Sequence, residues 1–357
     1  MSEFLLRSDI EEIVSHLSIK ALNEFGGKHI LLTGGRGFLG RYFTSVFEYL
    51  NQSHLAAHPV RLTVMDNLIS AGPEGAAIPT IENVTFLKHN CIEPLPELGR
   101  VDFIMHAAGI ASPAHYRKYP LETLEVATLG LKNSLEVARK NFGCRILFFS
   151  SSEIYGDPDP KNIPTRESYR GNVACLGPRA CYDMSKRLGE TMVQIYQQQY
   201  GVHGTIVRPF NVYGPGMQKT DYRVLPNFGA RIMEGKKLQI YGKGDQTRTF
   251  CYVTDAIGGF LRVLIDGVPG EPYNIGTPFP EISMKDLSLA VGKALGRPVE
   301  YDIVDYPDTY PADEPNRRCP DISKAAQQLG YAPRVGLEDG LKRFFDWAQV
   351  AFNESPR

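Results

Sequence analysis

In the first 25 residues Ile10, Ile13, Val14, Leu17, Ala21, Leu22 and Phe25 recur at helical spacing, and Ser8 with Glu11 has the spacing of a capping box. This pattern predicts an N-terminal helix packed on the body of the protein or on a second copy, with no chemistry of its own. From His29 the period changes. The runs HILLTGG, VRLTVMDN, VTFLKHN, VDFIMHAA, RILFFSSS and GTIVRPFN are short and apolar, the pattern of strands buried on both faces. Amphipathic stretches starting near Phe38, Pro120 and Cys181 separate several of them. Alternation of this kind predicts an α/β fold, a doubly wound parallel sheet with helices on both faces. After Asn211 the alternation weakens, and loops such as NVYGPGM and IYGKGDQT lead towards a helix around Leu337–Trp347. The expected division is an N-terminal helical extension (1–26), a main domain (27–209, with 249–276 returning to it), and a smaller C-terminal α/β substrate domain (210–248 and 277–350).

Composition narrows the function. The chain has 357 residues with 39 Lys and Arg against 40 Asp and Glu, so it offers no basic surplus for nucleic acid. No apolar run reaches the length of a membrane span, and the acidic, amphipathic start is a poor signal peptide. The six cysteines form no CxxC pair, which points to reduced thiols in a cytoplasmic compartment, with neither a disulfide framework nor a metal site.

Two motifs carry chemistry. Gly34, Gly37 and Gly40 form a GxxGxxG between the first predicted strand and a helix that opens with Phe38 and Leu39. Glycines there let the backbone approach a pyrophosphate, whose charge the helix N-terminus favours, as in a Rossmann-type dinucleotide site. The next strand ends at Asp66-Asn67, where a carboxylate can accept from ribose hydroxyls and would repel a 2′-phosphate; NAD is therefore the expected cofactor. Arg36 is the one loop residue suited to NADP. The second motif is Tyr182 with Lys186, one helical turn apart, so that an ammonium can lower the phenol pKa and let it take a proton from a sugar hydroxyl. The strand RILFFSSS delivers Ser150, Ser151, Ser152 and Glu153 at its carboxyl end, where open parallel sheets bind ligands.

Together these residues resemble the extended short-chain dehydrogenase/reductase family, the epimerases, dehydratases and decarboxylases of nucleotide sugars. The likeness runs from about His29 to Trp347, on Gly34/Gly37/Gly40, Asp66, His106-Ala107-Ala108, Ser151 with Tyr155, Tyr182 with Lys186, Arg208-Pro-Phe-Asn211 and Pro320-Asp-Ile. It implies a nucleotide sugar oxidised transiently by retained NAD, and a homodimer through the helices near Pro120 and Cys181. The strings SSEIYGDP, GDQTRTF and RRCPDI are most similar to the branch that decarboxylates UDP-linked uronic acids, converting UDP-glucuronate to UDP-xylose. That likeness implies active-site roles for Glu153 and Arg318, with Arg318 clamping the sugar carboxylate. It also implies Asn211 on the nucleotide sugar, Arg248 on the diphosphate, and Arg223 on cofactor or diphosphate. Met184-Ser185 depart from that branch's usual Glu-Gly, and Asn90 stands where an Asp is common. A 4,6-dehydratase would carry an acid at position 152, where this chain has Ser, and a 4-epimerase needs neither Glu153 nor Arg318. A dinucleotide-sensing binding protein would need the glycines but not Ser151, Tyr182 and Lys186 together.

Overall fold

The computed structural model describes residues 5–306 and 315–353, apart from the side chains of Pro73, Glu74 and Ala114. Residues 1–4 of the expected N-terminal extension and 307–314 of the expected substrate domain lie outside the described residues. At its centre are strands β1 (His29–Thr33), β2 (Arg61–Asp66), β3 (Val84–Lys88), β4 (Phe103–His106), β5 (Arg145–Phe149) and β6 (His203–Pro209). A seventh strand, Pro272–Ile275, pairs with β6, and the sheet order is Pro272–Ile275, β6, β5, β4, β1, β2, β3. Every pairing is parallel. The order reverses between β1 and β4, which opens a crevice at the carboxyl ends of those strands, where such sheets bind ligands. β1 and β4 are buried along their whole length because they sit mid-sheet, covered on both faces. β3 departs from the expectation of a strand buried on both faces. It is the sheet edge and is half exposed, with the Arg36 guanidinium lying 5.3 Å over the Phe86 ring.

The N-terminal segment is two helices rather than one, α1 (Arg7–Ser15) and α2 (Ile19–Asn23). The expected capping box is absent: Leu6 is the N-cap residue, so Ser8 falls inside the first turn, and Glu11 pairs with Arg7 at 3.0 Å. The chain then breaks at Ser18, whose hydroxyl accepts from the Ala21 amide at 3.1 Å and starts α2. Ile10 and Ile13 are fully buried against helix α3 (Phe38–Gln52) and helix Val253–Asp266, worth about 1.5–3 kcal/mol each. Asp9 is buried with them, accepting from the hydroxyls of Tyr42 (3.3 Å) and Tyr252 (2.9 Å), and burial pushes its carboxyl up to about 6. Tyr42 also donates to the Pro215 carbonyl at 2.9 Å, so the segment braces the loop that follows β6.

The helix expected from Pro120 is interrupted. Residues Pro120–Glu125 are α-helical, Val126–Gly130 form a π turn, and Leu131–Lys140 resume the α-helix. The neutral His106 ring in β4 donates from Nε2 to the Val126 carbonyl at 3.0 Å, where the wider turn begins. Past Asn211 the strands are short, while the helices reach 15 residues in Leu337–Ala351. Three two-residue strands, Ile282–Ser283, Thr247–Arg248 and Arg317–Arg318, make one small sheet, and a parallel pair joins Leu238–Tyr241 to Tyr301–Val304.

Candidate active site

A cavity of about 420 Å³ follows the carboxyl ends of β1, β4, β5 and β6. Gly34, Gly37, Phe38, Leu39, Gly40, Asp66, Asn67, Ala107 and Ala108 line one end, and Ser151, Ser152, Glu153, Tyr182, Lys186, Asn211, Arg223, Arg248 and Arg318 line the rest. Each residue expected to take part in catalysis or in binding cofactor or sugar therefore borders one crevice, whereas Arg36, His106, Tyr155 and Arg208 do not line it.

The glycine turn shows why those positions carry no side chain. Gly34 has φ +70°, and a Cβ there would meet the Ala108 backbone at 2.6 Å. A Cβ on Gly40 would lie inside contact distance of the Gly34 carbonyl and Gly35 Cα. Gly37 is different: a Cβ would meet only the Gly34 carbonyl, at 3.4 Å, so the protein itself does not require glycine there. The space it leaves open faces the cavity at the N-terminus of α3, a cradle that fits the pyrophosphate of a dinucleotide. Asp66 accepts from the amides of Arg36 (2.9 Å) and Leu68 (2.7 Å), which fix its carboxylate at the end of β2. Burial raises its pKa, and the two amides and the Arg36 charge oppose that rise. The Arg36 side chain is turned away, donating to the carbonyls of Gly75 (2.7 Å) and Ala77. Its position favours NAD, with Asp66 at the ribose, over a 2′-phosphate.

Ser151, at the end of β5, accepts from the Glu153 amide at 3.2 Å and opens a 3-10 turn over Ser152–Tyr155. Tyr182 and Lys186 lie on the first turns of helix Ala180–Tyr200. The Tyr182 ring stacks on Tyr116 with centroids 5.6 Å apart, and the Lys186 ammonium lies 5.7 Å from it. In the resting site burial outweighs the expected lowering of the phenol pKa. Burial pushes Tyr182 up to about 12, opposed by Ser151 and Arg223. Lys186 donates to the Phe149 carbonyl at 2.7 Å, and burial pushes its own pKa down to about 8.

The two arginines of the C-terminal part are aligned by strand register, Arg318 opposite Arg248 in a parallel pair. Arg248 donates to the carbonyls of Pro315 (2.6 Å) and Thr247 (2.8 Å). Arg318 is 8 % exposed and donates to Glu153 Oε2 at 2.7 Å, with Asn211 Oδ1 at 3.5 Å. Asn211 has φ +42° and is held by its side-chain donation to the Thr249 carbonyl at 2.8 Å. Arg223 is ion-paired to Asp221 at 2.5 Å beside the cavity.

Sequence reasoning passed over three groups. Arg179 pairs with the same Glu153 oxygen as Arg318 and approaches Asp183 at 3.6 Å. Asp183 is buried, and desolvation first and the Glu153 charge second raise its pKa. Glu190, one turn after Lys186, accepts from Ser150 Oγ at 2.5 Å and holds the Arg208 guanidinium through both oxygens, at 2.9 and 2.6 Å. The signal for these residues was their spacing: Arg179 and Asp183, then Lys186 and Glu190, each stand four apart on the helix that carries Tyr182.

A model of the NAD dependent epimerase/dehydratase family matches residues 30–276. UDP-glucuronic acid decarboxylase 1 of Xenopus tropicalis is 38% identical over 327 residues, 91% of this chain and 73% of the relative. UDP-glucuronic acid decarboxylase 3 of Arabidopsis thaliana is 38% identical over 316 residues, 87% of this chain and 86% of the relative. Among solved structures, UDP-glucose 4-epimerase of Thermotoga maritima with UDP-glucose superposes with a TM-score of 0.78 at 26% identity, covering 91% of this chain and all (100%) of that one. The dTDP-glucose 4,6-dehydratase of Streptomyces venezuelae with NAD bound gives 0.76 at 26% identity, covering 89% and 96%.

Proposed function

Because the chain belongs to the NAD dependent epimerase/dehydratase family, we propose that it decarboxylates UDP-glucuronate to UDP-xylose and ends each cycle with its NAD restored. The observation that carries this reading is Arg318, a buried guanidinium fixed by strand register beside the Ser151–Tyr182 end of the cavity. It matches a sugar carboxylate in charge and in bidentate shape, and a neutral hexose offers it only hydroxyls and no counter-charge. The decarboxylase names of the relatives support the same choice. Position 152, where a dehydratase would carry an acid, is a buried serine.

Gly34–Gly40 and Asp66 would hold NAD, which would supply the oxidant for sugar C4 and the reductant that later restores it. Tyr182 takes the proton of the C4 hydroxyl, and the Ser151 hydroxyl orients that group. Lys186 stabilises negative charge as it forms on the phenol. With C4 a ketone, the carboxylate on C5 is β to a carbonyl, so CO₂ can leave and its electron pair passes into an enolate; a proton added at C5, return of the hydride to C4 and return of the Tyr182 proton to the C4 oxygen would then give UDP-xylose. Arg318 holds that carboxylate, Asn211 contacts the nucleotide sugar, and Arg248 and Arg223 lie along the diphosphate. The test is to incubate the protein with NAD⁺ and UDP-glucuronate and follow products by NMR. UDP-xylose with release of CO₂ is expected; inertness towards UDP-glucuronate alongside turnover of a neutral UDP-hexose would overturn the reading.

Two further features are proposals of the same kind. Leu121, Leu124 and Leu129, with Leu188 and Ile195 on helix Ala180–Tyr200, are exposed by 41–70 % of their surface. These apolar side chains support a homodimer through this pair of helical segments, which light scattering on the purified protein would measure. All six cysteines are free, which supports a reducing, cytoplasmic setting. No helix among the described residues is long and apolar enough to cross a membrane.

A further inference from the structure

Four charged side chains meet where the uronate carboxylate would enter. Glu153 Oε2 accepts from Arg318 Nη2 at 2.7 Å and also from Arg179 Nη2, while Arg179 Nε faces Asp183 Oδ2 at 3.6 Å. The four side chains are only 7–16 % exposed. Among the described residues two guanidiniums face two carboxylates here, and the arriving substrate adds a third acid to a largely buried cluster. Asp183 is already strained in this respect, since its Oδ1 is buried without a hydrogen-bond partner among the described residues. Something must release Arg318 and still keep Glu153 paired, because an uncompensated buried carboxylate is costly.

We propose that Arg179 is a positioning residue for uronate recognition: it retains Glu153 when the substrate carboxylate displaces that residue from Arg318. The shared oxygen makes the exchange cheap. Glu153 trades two guanidinium partners for one, Arg318 trades Glu153 for the substrate, and no charge is orphaned. Without Arg179, Glu153 would have Arg318 as its main partner and would compete with the substrate for it. The proposal rests on the decarboxylase reading, and it adds that Glu153 occupies the place of the substrate carboxylate in the resting site.

The test is calorimetric titration with UDP-glucuronate, UDP-glucose and UDP of the NAD-loaded protein carrying Tyr182→Phe, which prevents turnover. Added Arg179→Met should weaken UDP-glucuronate about tenfold to hundredfold, the loss of a charge-assisted contact, and leave the other two within about threefold. Arg179→Lys, which keeps the charge, should give a smaller loss. Adding Glu153→Gln to Arg179→Met should recover most of the lost affinity, since a neutral amide does not compete for Arg318; a merely structural arginine would show no such rescue. Equal weakening of all three ligands by both Arg179 variants, or a double variant no better than Arg179→Met, would overturn the proposal. If the parent binds UDP-glucuronate no better than UDP-glucose, the decarboxylase reading itself fails.

Discussion

Glu190→Gln tests how the floor of the site is held. Glu190 is the sole carboxylate paired with Arg208 among the described residues, through two bonds of 2.9 and 2.6 Å, and it also accepts from Ser150 at 2.5 Å. Arg208 is buried and also donates to the Tyr155 hydroxyl (2.7 Å) and the Glu167 carbonyl (2.9 Å). Tyr155 in turn donates to Asn274 in the last strand at 2.7 Å, so one network ties β5, β6 and the sheet edge together. Neutralising Glu190 leaves a buried guanidinium without its counter-charge, which costs about 3–5 kcal/mol. An unfolding entropy of about 2 cal/mol/K per residue gives about 0.75 kcal/mol per kelvin for 357 residues, so Tm should fall by about 4–7 °C. Catalysis should report the change separately. Glu190 is the charge that holds the Lys186 pKa up against burial, so the glutamine variant should lose its Lys186 ammonium at lower pH than the parent. The assay pairs thermal unfolding with a pH profile of kcat/KM, and a double variant Glu190→Gln/Arg208→Met completes a cycle. Removing both charges should be less damaging than removing Glu190 alone. A Tm within about 1 °C of the parent, or a double variant worse than the sum of the singles, would refute the reasoning.

Tyr182→Phe should lower kcat by about 10²–10⁴-fold while NAD still binds, read by turnover and by cofactor retention on gel filtration. Gly37→Ala should fold with nearly parental Tm yet bind NAD at least about tenfold more weakly, because the methyl fills space the protein leaves open; Gly40→Ala should lose stability as well, since its methyl meets backbone. In the parent, the Lys186 ammonium is present below about pH 8 and lost above it, so kcat/KM should fall as pH rises through about 8. His106 is buried neutral with its pKa pushed from 6.5 down to about 4, so its contribution to stability is complete above pH 6.5 and is lost as pH falls towards 4. His106→Gln should therefore flatten that acid limb of a urea-unfolding series by about 3 kcal/mol.

The parallel sheet was legible because its strands are buried on both faces and separated by amphipathic helices, so period and length agree on one fold. Where the expectation failed, tertiary context overrode a local pattern. Ser8 and Glu11 have capping-box spacing, but the helix starts at Leu6, where the backbone enters against α3 and helix Val253–Asp266. The apolar spacing over 10–25 continues across Ser18 even though the chain bends there, because both short helices bury the same face. β3 looks like its neighbours in sequence, and only its place at the sheet edge exposes it.

The site was legible wherever a residue type is demanded by backbone or by shape: Gly34 and Gly40 by close approach, Tyr182 and Lys186 by helix spacing. What stayed hidden were the groups that set charge, because their partners come from distant parts of the chain. Lys186, one turn from Tyr182, also donates to a carbonyl 37 residues earlier, and Arg223, from beyond β6, opposes the rise in the phenol pKa from a part of the chain no local pattern reaches. Glu153 is read from the sequence as a lone active-site acid, and in the fold it is shared by Arg179 and Arg318, whose sequence separation is far too long for any local pattern to reveal. A chain with almost equal numbers of acids and bases can hold a strongly anionic ligand for the same reason. Its surplus positive charge is made locally, by strands that bring Arg248 and Arg318 into register and by acids such as Glu153 that can yield a guanidinium to the ligand.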